Sequence, residues 1–216
     1  MKRALSLTIA AATLGAIIGC QSAYYGTMER FGVHKRDILV DKIDDARDDQ
    51  EEAKEQFKTA LERFGEVVAF DGGELKSIYN RLQAELDRSA ARAKDVRQSI
   101  SKVEDVSTAL FKEWEKEIGL YSSNSLRRES TRKLDETRNS YDQLIRAMKR
   151  AEASLEPVLI AFRDQVLFLK HNLNSQAISS LQDELVVIES DVTRLVQEME
   201  TSIAEADAFI KQLSIQ

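Results

Sequence analysis

The chain has 216 residues, of which 31% are charged, 43% hydrophobic and only 6% aromatic, with one Pro, eight Gly and one Cys. So few turn formers exclude an all-β fold, which needs frequent tight reversals, and leave long uninterrupted helices. The lone Cys excludes a disulfide framework or a multi-cysteine zinc site, and a formal charge of −6 argues against nucleic acid as a partner.

Met1-Lys2-Arg3 is a short basic head, followed by an apolar run from Ala4 to Ile18 broken only by Ser6, Thr8 and Thr13. That run is shorter than the ~20 residues a membrane-spanning helix needs, so residues 1–19 are expected to be a signal peptide. It ends in Ile17-Ile18-Gly19-Cys20, which resembles a bacterial lipobox: a branched apolar residue, a small residue before the cleavage point, then Cys. The Cys20 thiol is the expected lipidation site, carrying a diacylglycerol thioether alongside a palmitate-type acyl chain on the new N-terminus. The plainer alternatives are an ordinary signal peptide with an incidental Cys, or a cytoplasmic chain with an apolar start. Gln21, rather than Asp, follows the Cys; by resemblance to lipoprotein sorting in Gram-negative bacteria it favours the periplasmic face of the outer membrane. Cleavage removes Lys2 and Arg3 and takes the formal charge from −6 to −8. Residues 20–36 are then the lipidated Cys and a linker, with Tyr24, Tyr25, Met28 and Phe31 spaced as a short apolar helical face.

From Asp37 onward apolar residues recur every three and four positions. The first helix carries Leu39, Ile43, Ala46, Gln50, Ala53, Phe57, Ala60, Phe64 and Val67 on its seam and stops at Asp71-Gly72-Gly73. The second runs from Leu75 through Ile78, Leu82, Leu86, Ser89, Ala93, Val96, Ile100, Val103, Ser107 and Leu110 to Trp114, and breaks at Gly119–Asn124. The third runs from Leu134 through Tyr141, Leu144, Met148, Leu155 and Phe162 to Leu173, with Pro157 expected to kink it or leave a carbonyl unpaired. After a break at Asn172–Ser175, capped by Asn174 or Ser175, the fourth carries Ile178, Leu181, Leu185, Ile188, Val192, Leu195, Met199, Ser202, Ala206, Phe209 and Leu213. A repeat of 3.5 sustained this long predicts left-handed coiled-coil packing, and short connections predict antiparallel neighbours. The expected fold over residues 37–216 is all-α: an elongated antiparallel bundle or coiled coil of four long helices, roughly 50–75 Å each.

Two features depart from a plain seam. Val158 to Leu173 is apolar nearly all round, with Leu159, Ile160, Leu167 and Phe168 off the stripe. A helix apolar on every side should be surrounded, so a four-helix core is expected there, with Phe64, Val68, Phe70, Tyr79, Leu181 and Val187 enclosing it. The second and third helices also outreach the first and fourth, so residues from about 108 to 134 should overhang as a hairpin. Its tip carries Trp114, Leu120 and Tyr121 beside Arg127 and Arg128, the residues expected to contact a partner. The preceding linker is the plainer candidate to cover them.

Lys35–Val40, Phe70–Gly73, Leu110–Trp114, Glu156–Leu159 and Phe168–Asn174 together resemble the DUF2959 family of proteobacterial lipoproteins, a family without assigned function. The resemblance implies an envelope lipoprotein and brings no catalytic residue, ligand or cofactor with it.

Enzyme chemistry finds little support. Bundle di-iron sites need Glu three residues before His, but Phe31 precedes His34 and Phe168 precedes His171. Gly72-Gly73 is followed by Glu74-Leu75, which is no phosphate loop, and no nucleophile motif appears. Lys170 and His171 read as cations at a helix C-terminus, and the carboxylates from Asp44 to Glu55 as a solvated face. The basic third helix (Arg132, Lys133, Arg138, Arg146, Lys149, Arg150) is expected to align against acidic neighbours. No catalytic, cofactor or metal residues are assigned. The expected function is a non-enzymatic outer-membrane lipoprotein, a structural or adaptor module for an envelope protein partner. The alternative is a lipid-interacting module whose basic helix contacts anionic headgroups.

Overall fold

The computed structural model describes residues 35–68, 75–172 and 175–215. They form four helices: α1 (Lys35–Val68), α2 (Leu75–Ile118), α3 (Asn124–His171) and α4 (Ser175–Ile215). No strand occurs among the described residues. The helices run 34, 44, 48 and 41 residues, so α3 alone spans about 70 Å. Each helix packs on its chain neighbours, and α1 also packs on α4, which closes a square in chain order.

Contacts at two levels on each edge run in opposite senses along the paired helices, so every neighbour is antiparallel. Glu52 and Gln56 meet Arg92 and Glu85, and Arg97 and Glu115 meet Glu156 and Arg138. Tyr141 and Arg150 meet Phe209 and Glu198, and Arg47 and Lys54 meet Asp207 and Glu200. Arg92 meets Glu52 at 2.6 Å, Arg97 meets Glu156 at 2.7 Å, Arg150 meets Glu198 at 3.2 Å and Arg47 meets Asp207 at 3.2 Å. Of the basic residues of α3, Arg138 and Lys149 pair with Glu115 and Glu104 of α2 and Arg150 with α4, whereas Arg132 pairs within α3 itself, with Glu129 and Glu136. Between α1 and α2, Glu85 is 6% exposed and accepts from Gln56 at 2.9 Å and from Arg88. Burial works to raise its pKa, but those two donors outweigh it and hold the carboxyl below its usual value.

The seams read from the sequence are the core. Leu39, Ile43, Ala46, Ala53, Phe57 and Ala60 are fully buried on α1, as are Leu144, Met148, Leu155, Val158 and Phe162 on α3. Aromatic side chains occupy both ends of this core. Phe162 stacks on Phe64 at 4.4 Å and on Phe57 at 6.1 Å, across the diagonal of the square. Towards the other end Tyr141 meets Phe111 at 5.4 Å and Phe209 at 6.3 Å, both edge-on. Between these layers lies a belt of small buried residues, including Ala53, Ala93, Ala151, Ser202 and Ala206, which permits close helix approach.

Gln50 sits in that belt with no exposure, and neither atom of its amide meets a protein hydrogen-bond partner. An orphaned buried amide costs about 1–3 kcal/mol, and Leu has nearly the same volume. Gln50→Leu should therefore raise the unfolding free energy measured in urea by about 1–3 kcal/mol; a lower value would show that the amide is satisfied in solution.

Helix ends follow local chemistry. Past Ile118 the chain turns through Leu120 N–H to Glu117 O at 2.9 Å, and Ser123 caps α3 by accepting from Leu126 N–H at 3.4 Å. Asn172 closes α3, its backbone N–H donating to Phe168 O and Leu169 O and its side chain to Phe168 O at 3.0 Å. The helix runs on through Pro157. Residues 71–73 and Asn174, where the first turn and one of the two candidate caps of the fourth helix were expected, lie outside the described residues, as do 1–34 with Cys20 and most of the linker; its last two residues, Lys35 and Arg36, already belong to α1.

The expectation that Val158–Leu173 is enclosed is overturned. Leu159 is 3% exposed, but Ile160 is 45%, Leu167 49%, Phe168 39% and Val187 56% exposed. A helix in a square has two neighbours, so the outer part of its circumference faces away from both, and apolar residues added there stay uncovered. The side chains of Val68, Phe70 and Leu181 lie outside the described residues.

Candidate functional site

The overhang begins later on α2 than helix lengths alone imply. Lys35, the first described residue, reaches Glu113 at 2.8 Å, and Arg36 donates to Leu213 O near the end of α4. Beyond Glu113 the described structure is a hairpin of α2 and α3, so it starts at about residue 114 rather than 108. Its base is well packed. Phe111 is 7% exposed, and Arg138 lies 5.2 Å over its ring while pairing with Glu115 at 2.8 Å. Burial pushes the Tyr141 phenol above its usual pKa.

Trp114 is half-buried and its indole N–H donates to Ser130 at 2.8 Å, so much of its surface serves to join the two helical arms of the hairpin. The other residues expected at the contact lie further out. Leu120 is 77% exposed and Tyr121 39%, and Leu126, the first apolar residue on the far side of the loop, is 56% exposed. Arg127 donates to Tyr121 O at 2.6 Å and holds the loop, while Arg128 is exposed, and neither has a carboxylate partner among the described residues. The tip is thus a pinned turn with apolar side chains beside two cations. At its base, Lys35, Leu110, Glu113, Trp114 and Leu213 line a cavity of ≈ 450 Å³.

A second apolar surface lies at the opposite end, where α3 finishes and α4 begins. The exposed apolar residues there are Ile160, Leu167 and Phe168 in the last quarter of α3 and Val186 and Val187 in the first third of α4, with Val186 68% exposed. Several of these residues are ones whose apolar density in the sequence predicts a place in the core. Their off-seam positions were the usable signal: an apolar residue outside a complete stripe is surplus to the core. All the exposed large apolar side chains among the described residues belong to these two ends.

Among the described residues no three His, Cys, Asp or Glu side chains stand close enough to hold a metal ion. No described helix is long and apolar enough to cross a membrane. His171 is the last residue of α3 and is exposed, beside Lys170. A family model described as a protein of unknown function (DUF2959) matches residues 24–213. A search of curated proteins finds no significant match.

Proposed function

We propose, for a chain that belongs to the DUF2959 family of unknown function, a non-enzymatic lipoprotein anchored at Cys20 to the periplasmic face of the outer membrane. It acts as a spacer or adaptor that holds an envelope protein at a set distance from the bilayer. The observation that carries this is the segregation of exposed apolar residues to the two ends of a long bundle. The sides between them are charged and laced with ion pairs, as a solvated shaft should be. Two separated contact surfaces on a rigid rod suit a linking role better than a catalytic one. The basic α3 gives less support to headgroup binding along its length, because Arg138, Lys149 and Arg150 already face carboxylates of α2 and α4.

Photo-crosslinking in intact cells tests this. A crosslinking residue at Phe168 or Val187 should capture a defined protein, and one at Arg146, exposed at mid-shaft, should capture none. Equal capture at Arg146, or no defined product from the α3–α4 end, would reject the spacer.

A further inference from the structure

We infer that the hairpin tip is a membrane-interface contact: Leu120, Tyr121 and Leu126 enter the headgroup region of the bilayer that holds the anchor, and Arg127 and Arg128 meet lipid phosphates. The inference rests on the proposed anchoring at Cys20 for its geometry. Cys20 precedes Lys35 by a linker of fourteen residues, Gln21 to His34, which spans at most about 50 Å fully extended. The described chain starts at Lys35, beside Glu113, at the end of the bundle from which the hairpin projects. From Glu113, α2 runs only five more residues to Ile118, a rise of roughly 8 Å before the turn. The tip is therefore well within the reach of the linker.

The other apolar end is placed differently. It lies alongside the far half of α1, near Phe57 and Phe64, roughly 35–45 Å along the axis from Lys35. To bring both ends to one bilayer the rod would have to lie down on a shaft that exposes no large apolar side chain among the described residues. The tip also has the composition an interface selects: aliphatic residues, a tyrosine with a polar end, and arginines whose planar heads bind phosphate. Its pinned loop offers these groups without a large ordering cost. Arg127 is tied to Tyr121 O and Ser123 caps the helix that carries Leu126. With the tip seated, the α3–α4 end is the one that faces away, towards the envelope partner.

The test separates tip from anchor. The mature chain, with a hexahistidine tag replacing Cys20, is tethered to chelating-lipid vesicles containing phosphatidylglycerol. The only native Cys is thereby removed, so Leu120→Cys or Arg146→Cys takes a single fluorescent probe. Tethering raises the local concentration to the millimolar range, so even a weak contact must register. Brominated lipids should quench the probe at 120 about threefold more than at 146, because interfacial groups sit ~5–10 Å deep. Leu126→Asp with Arg127→Gln and Arg128→Gln should remove that difference, while the helical circular dichroism stays unchanged. Equal quenching at 120 and 146 overturns the inference. Iodide then distinguishes the occupant: a probe at 120 open to iodide leaves the tip for a protein, and one shielded from both quenchers assigns it to the chain's own linker. Acylation of Cys20 plays no part in this measurement, so failure of the anchor and failure of the tip are told apart by mass spectrometry of the native protein.

Discussion

Cys20→Ser should yield a chain with no acyl groups and with residues 1–19 still attached, detected by the mass of the N-terminal fragment. The thiol is the only atom in the sequence able to carry the thioether, since the chain has one Cys. The effect is all-or-none in size. Each buried CH₂ contributes about 0.8 kcal/mol, so one acyl chain gives marginal attachment and several together are effectively permanent. No surface contact on the bundle approaches that. The tip alone, with three exposed apolar residues and two arginines, belongs to the range of weak reversible contacts. Recovery of the unsubstituted protein as a soluble, unacylated species would end the lipoprotein proposal, whatever the tip does.

Phe162→Ala should be the most damaging single core substitution. Its ring is fully buried and stacks between Phe57 and Phe64 across the bundle. Removing it leaves a cavity and takes away both ring contacts, at a total cost of about 3–5 kcal/mol. Against a total stability on the order of 5–15 kcal/mol this takes a large share. Urea unfolding followed by circular dichroism should show the midpoint fall steeply. Phe168→Ala is the matched control, on the same helix at the exposed face, and should change stability by less than about 1 kcal/mol. If the two cost the same, the α3–α4 end is covered in solution and is not a contact surface.

Phe162 and Phe168 also mark how far the pattern could be read. Both are Phe on one helix, six residues apart, in a stretch rich in Leu, Ile and Val. Phe162 follows the stripe through Leu155, Val158 and Val166 and is buried as that stripe requires. Phe168 falls off it. Apolar density around Phe168 implied enclosure, but density does not say how many helices are present to enclose it. Leu120 was legible for a simpler reason: it stands between two helices, at a turn forced by Gly119 and Ser122–Ser123, where no neighbour is available. Trp114 was only half legible, since its bond to Ser130 depends on how α2 and α3 align. The cavity at the hairpin base was not legible at all, because Lys35, Trp114 and Leu213 are brought together from three helices.

Periodicity, turn residues and the single Cys determined, without any tertiary knowledge, the four helices, the seam residues of each and the expected anchor position, while the family came from the resemblance of its motif stretches. These are local properties: a 3.5-residue repeat and a Gly or Asn at a break act over a few residues and carry their meaning within one segment. Tertiary structure alone decided that the helices close a square with α1 against α4, that α1 reaches Glu113, and that surplus apolar residues gather at the two ends. Those outcomes depend on how rods of unequal length align and on how much of each circumference its neighbours cover, and both are relations between segments distant in the chain.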